Sequence, residues 1–252
     1  MNTLKTTVCM GLLLGALQAS AFINANLTGT NIEFEGWENL NNANFPNSTT
    51  IPGDPPTVIP QPYGGGFPGA VPWTATISPN TAGSDGNAEF GKVSGNGYTA
   101  GSSVYTPFTG AVFSVDSTSV VTGLETIVFQ IDLGPGDTFY NSVPTLSYNS
   151  GTQSLAADFT GNTPGENPFT NPVNPTQTGT TTNFIYQWDL SLLAPITDYS
   201  IEWETGSHAQ VYGMQIDTSD SFTGSVVPEP SAYSLLAGLL ATFALNLRRR
   251  RQ

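Results

Sequence analysis

Cysteine is almost missing from this 252-residue chain, since Cys9 is the only one. A disulfide framework and a thiolate metal cluster each need several cysteines, so the fold must rest on a packed core. Basic residues are nearly as scarce. Lys5 stands near the start, Arg248, Arg249, Arg250 and Arg251 close the chain, and between them there is only Lys92, with His208 the one histidine. A phosphate-binding loop needs a glycine-rich turn followed by lysine and a helix, and Gly95-Asn96-Gly97 leads into Tyr98-Thr99-Ala100 instead. A Ser-His-Asp triad would have to use His208, yet no Gly-x-Ser-x-Gly elbow exists and Ser207 is merely its neighbour. Zinc would find His208 and carboxylates alone. His208 sits in a turn entering the last strand, where its expected role is a hydrogen bond to loop backbone.

Positive charge is missing for a further reason. Of the 19 acids, 18 lie in residues 22–226 against Lys92, which leaves a formal charge of −17 there with His208 neutral. Such a surface repels nucleic acid and anionic lipid. It suits solubility outside the cell, and it also suits calcium, whose ligands are carboxylate and carbonyl oxygens. Ser84-Asp85-Gly86-Asn87 and Asp217-Thr218-Ser219-Asp220 are the clusters that could donate them, with Asp85, Asn87, Asp217 and Asp220 as candidate ligands. Neither fits the twelve-residue helix-loop-helix calcium pattern, and Asx turns account for both without a metal.

What the chain does contain is most distinctive at its ends. Val227-Pro228-Glu229-Pro230 is followed by an apolar run over residues 232–247 and then by Arg248–Arg251. A helix of that run rises about 24 Å, short of the roughly 30 Å hydrocarbon layer, and spans it if the arginines snorkel. Four adjacent cations hold the following end in the cytoplasm, so the preceding chain lies outside. The order Pro-Glu-Pro, apolar span, arginine cluster resembles the PEP-CTERM sorting signal of Gram-negative bacteria. The resemblance covers residues 226–252 only. It implies recognition by an exosortase in the inner membrane, processing near the motif, and an envelope or matrix destination linked to exopolysaccharide.

Export needs its own signal, and residues 1–21 supply one. Lys5 gives the charged region, residues 8–17 the apolar region, and Ala19-Ser20-Ala21 the cleavage site, with the cut expected after Ala21. Cys9 precedes the leucine run, so it reads as an apolar residue of the signal rather than a lipidation site. The chain therefore divides into a signal peptide at 1–21, an ectodomain at 22–226, and a sorting signal at 227–252 with its transmembrane helix at 232–247.

No stretch of the ectodomain keeps a helical period over ten residues. Residues 31–37 form a candidate strand with Ile32 and Phe34 on one face and Glu33, Glu35 and Trp37 on the other, the acids reading as its wet face. Residues 39–72 are rich in Asn, Pro and Gly, which predicts a long irregular excursion with an edge strand at 57–59. Tyr63, Phe67 and Trp73 lie in or beside it, as end-packing residues or as candidates for stacking on sugar rings. Short strands are expected at 73–78, 88–93, 111–115, 126–133, 145–149 and 154–159. The alternation within 126–132 is that of a half-buried strand. Residues 161–179 read as a second loop. Phe184, Tyr186 and Trp188, then Tyr199, Ile201 and Trp203, then Tyr212, Met214 and Ile216 alternate with their neighbours as a meander that would build one sheet.

About ten short strands with Gly/Pro turns predict an all-β antiparallel β-sandwich, jelly-roll-like in architecture. The expected function is an exported, non-catalytic surface or extracellular-matrix protein associated with polysaccharide. The alternatives are a carbohydrate-active hydrolase or lyase, for which Glu33 and Glu35 are the carboxylate pair, and a purely structural adhesin.

Overall fold

A computed structural model describes residues 22–40, 76–95, 97–100, 103–107, 109–134, 138–170, 176, 178–193, 195–222 and 224–227. Residues 1–21, expected as signal peptide, residues 228–252 and most of the 39–72 excursion, including the edge strand expected at 57–59, lie outside them. Among the described residues no helix is long and apolar enough to cross a membrane.

Among the described residues twelve strands follow one another: β1 (Ile32–Trp37), β2 (Ala88–Gly95), β3 (Tyr98–Ala100), β4 (Ser103–Thr106), β5 (Ala111–Ser117), β6 (Thr126–Gly134), β7 (Tyr140–Tyr148), β8 (Leu155–Ala156), β9 (Phe159–Thr170), β10 (Thr178–Asp189), β11 (Tyr199–Thr205) and β12 (Ala209–Ser219). They form two antiparallel sheets. The larger runs β3-β4-β12-β6-β10-β9, with β1 also paired to β12; the smaller runs β2-β5-β11-β7-β8. Along β12, β4 pairs with residues 209–211 and β1 with residues 214–219, so the two share one edge end to end.

Aromatic side chains fill the space between the sheets. Phe129 of β6 meets Trp203 of β11 with ring centroids 5.2 Å apart, and Trp203 stacks on Phe90 of β2 at 6.0 Å. Phe113, Tyr186 and Trp188 extend the cluster from both sides. Each such pair contributes about 0.5–1.5 kcal/mol beyond the area it buries. Trp37 Nε1 donates to Ile77 O and Trp188 Nε1 to Leu155 O, while the buried Trp203 Nε1 has no acceptor.

Buried threonines tie the turns at one end of the sandwich. Thr205 Oγ1 donates to Thr106 Oγ1 and accepts from Ala111 N, while Thr106 Oγ1 faces Gly206 O and Ala209 O. The chain passes so close here that a Cβ on Gly110 would lie 2.0 Å from Thr205 O, and Gly110 has φ +79°. Only glycine fits there without displacing backbone.

Several expectations need correction. In β1 it is Glu35 and Trp37 that are buried, and Ile32 is exposed, because Trp37 packs edge-on to Phe90 inside the sandwich. Strand β6 is buried on both faces rather than half-buried, since chain segments cover its outer side. The last three strands do not form one sheet. β10 and β12 flank β6, whereas β11 lies between β5 and β7 in the other sheet, and Leu190 and Ile196 of the intervening crossover are buried in the core. Residues 159–170, expected as loop from residue 161 on, are strand β9. It is an edge strand, where Pro164 and Pro168 are tolerated because one side of it needs no ladder donor. The expected strand at 73–78 is, within its described part, a single bridge between Ile77 and Phe90. Residues 154–159 hold only the short β8 and the first residue of β9.

Candidate functional site

The outer face of the larger sheet receives both ends of the described chain. Gln130 of β6 accepts from Ile23 N and donates to Ile23 O, each at 2.9 Å. Gln187 of β10 does the same for the other end, accepting from Val226 N at 2.8 Å and donating to Gly224 O at 2.9 Å. A glutamine amide carries one donor side and one acceptor side, so each matches a passing backbone as another strand would. Between the two clamps Ala25, Val128, Ile185 and Val227 form a second, smaller apolar core, packed by Ile23, Leu27, Phe159 and Val226. The residues adjoining the two expected targeting segments therefore meet on one face. Of the expected sorting motif, Val227 is described and 7 % exposed; Pro228, Glu229, Pro230 and Arg248–Arg251 lie outside the described residues.

Carboxylates at the rim act on backbone N–H groups. Glu35 Oε1 accepts from Asn87 N at 2.6 Å and Oε2 from Gly86 N at 3.0 Å. Burial raises its pKa, and those two bonds oppose the rise. The expected wet-face acid is thus a buried brace between β1 and the 84–87 loop. Asp85 Oδ2 accepts from Phe34 N. Asp220 accepts from Thr30 N, Asn31 N and Asn31 Nδ2. Desolvation raises the Asp220 carboxyl, but these bonds together outweigh it and hold it below the ordinary range. Asp217 takes Gln215 Nε2 at 2.7 Å, and burial pushes it up to about 6.

Of the four candidate calcium ligands, Asp85 and Asp220 brace backbone far away in sequence, Asp217 bonds Gln215 of its own strand, and Asn87 takes part through its backbone N–H. No three His, Cys, Asp or Glu side chains converge on a common point among the described residues. His208 has φ +61°, donates its backbone N–H to Thr106 O, and sets Nδ1 against the Tyr105 hydroxyl. The Tyr105 side chain is thus one partner of its ring. Lys92 is buried and donates to Gly95 O.

On the smaller sheet, the ends of β5, β7 and β11 line an open groove of about 190 Å³. Asp116, Ser117, Ser147, Tyr148, Asp198 and Ser200 line it. Its rim is a tight turn with Asn149 and Ser150 both at positive φ, closed by Gly151 N donating to Tyr148 O. Asp198 Oδ1 caps Ser150 N at 2.6 Å and Oδ2 accepts from Thr197 Oγ1, which lowers its pKa. Hydroxyls, carboxylates and the phenol rings of Tyr148 and Tyr199 are the groups that hydrogen-bond and stack against polyols. Comparison with protein families, with characterised proteins and with solved structures returned no match to this chain.

Sequence reasoning marked none of these residues as a groove, because they join only when β5, β7 and β11 pair. Nor did it find Gln130 and Gln187, which look like ordinary polar positions of alternating strands. Tyr63, Phe67 and Trp73, the candidate stacking residues, lie outside the described residues.

Proposed function

We propose that this chain is an exported surface or matrix protein, non-catalytic, routed by its PEP-CTERM-like tail and associating with polysaccharide through a jelly-roll-like sandwich. The observation that carries the reading is the division of labour between the two sheets. The segment leading into the sorting motif is fixed to the outer face of the larger sheet by Gln187, and the groove belongs to the smaller one. The −17 charge between the targeting segments keeps that domain off anionic lipid. In this reading the partners are exosortase-type machinery, the inner membrane in transit, and an exopolysaccharide. Glu35 is no free carboxylate for glycoside hydrolysis, because both of its oxygens already hold backbone N–H groups.

A glycan array combined with a hydrolysis screen tests this. Retention without product, weakened by Tyr148→Ala and Asp198→Ala, is the expected result. Turnover abolished by Glu33→Gln or Glu35→Gln would instead make the chain a carbohydrate-active enzyme. Absence of any retention would leave a structural adhesin.

A further inference from the structure

Four residues form a square on the outer face of the larger sheet. Across the β6–β10 pair Gln130 stands opposite Ile185, and Val128 opposite Gln187, so the two clamping amides occupy one diagonal and two aliphatic side chains the other. Val128 and Ile185 are wholly buried, although they belong to the small core outside the sandwich interior. Their cover is chain from the two ends of the domain, Ile23 and Ala25 from one and Val226 and Val227 from the other.

The cover on the carboxyl side is seated along its length. Thr126 Oγ1 donates to Ser221 O at 2.9 Å, and the Phe222 ring stacks on Phe159 of β9 with centroids 6.1 Å apart. Phe222 N donates to Glu125 Oε2 at 3.2 Å, Gln187 takes both Gly224 O and Val226 N, and Val227 N donates to Ser225 Oγ at 3.2 Å. Val227 closes the small apolar core, and it is the residue directly before Pro228. Were this strap removed, aliphatic side chains of the strands β6 and β10 and the ring of Phe159 would face water. Apolar patches of that kind cost free energy and invite association.

An enzyme that cuts a peptide bond binds extended chain through free backbone groups and side-chain pockets. In the seated strap the Gly224 carbonyl and the Val226 N–H are held by Gln187, and the Val227 side chain is buried. The bonds between residues 224 and 227 are open to such an enzyme only when the strap lifts from the sheet, a local opening that its contacts oppose.

We propose that removal of the tail cuts the chain on the carboxyl side of Val227, so that Phe222 and residues 224–227 stay behind as a permanent cover of β6 and β10. That a cut occurs at all rests on the sorting reading above; its position is what the strap adds.

Two measurements test this. In the first, the full chain in detergent is digested with proteinase K and the products are followed over time by mass spectrometry. Products ending at Val227 or later should accumulate, with none ending at 221–226 while the sandwich is intact. Gln187→Leu should speed cutting within the strap roughly tenfold, because cleavage follows the population of the lifted strap, and Gln130→Leu should leave it unchanged. Products ending at 221–226 from the unaltered chain, with the sandwich intact, would overturn the proposal. The second measurement is the carboxyl end of the chain recovered from its own cells. An end at Val227 or later, with the arginine cluster gone, is expected. An end at or before Val226 would overturn the proposal and leave the sorting reading standing. An intact tail ending at Gln252 would overturn the processing step of that reading, and the proposal with it.

Discussion

Phe129 and Trp203 meet across the sandwich with their rings tilted at 44°, 5.2 Å between ring centroids, one from the central strand of the larger sheet and one from that of the smaller. Trp203 also touches Phe90 and Phe113, so it is the ring through which β2, β5, β11 and β6 are joined. Trp203→Ala should therefore cost about 3–5 kcal/mol, enough to unfold a marginal domain. Trp203→Phe should cost far less, because it also removes an indole N–H that is buried without an acceptor. Denaturant melts of the two variants check the ranking, and equal losses would mean that ring packing is not what Trp203 supplies.

Gln130 and Gln187 should act independently on the two chain segments they hold. Gln187→Leu keeps the volume but frees Gly224 O and Val226 N, so hydrogen exchange at Val226 should accelerate while Ile23 stays protected. Gln130→Leu should do the reverse. Each loss should weaken its own segment by about 1–3 kcal/mol, the range for buried backbone groups left unsatisfied. Exchange that rises at both ends in both variants would show one cooperative unit.

Burial pushes the Asp217 carboxyl up to about 6, with Gln215 and Gln130 pulling the other way, so the native state holds its proton more tightly than the unfolded chain does. The contribution to stability is full below pH 4 and is lost as pH rises through about 6, by at most about 3 kcal/mol. Glu35, raised mainly by burial, adds a loss of the same sign. Asp217→Asn should flatten the decline and melt higher than the parent above pH 6. A parent melt independent of pH between 4 and 7 would contradict the assignment.

The fold class was legible because period-2 alternation and turn residues are local signals. Phe184, Tyr186 and Trp188 do face inward, as do Tyr199, Ile201 and Trp203. Sheet membership was not legible, because nothing in the spacing of β10, β11 and β12 distinguishes a hairpin from a crossover between sheets. Strand β9 was hidden by Pro164 and Pro168, residues that forbid a central strand but not an edge. The β1 face was misread because its polarity runs against its burial. Glu35 goes inside with two backbone N–H partners, and Ile32 stays out. Groove and clamps were illegible for one shared reason: their residues converge only through pairings more than 30 positions apart in sequence.

The central claim is that this acidic sandwich works outside the cytoplasm. Mass spectrometry of both termini of the native polypeptide, taken with its cell fraction, tests it most directly. A chain beginning at Phe22 in the envelope or extracellular fraction is the expected result. A chain retaining residues 1–21 in the cytosol, with its tail intact, would contradict it.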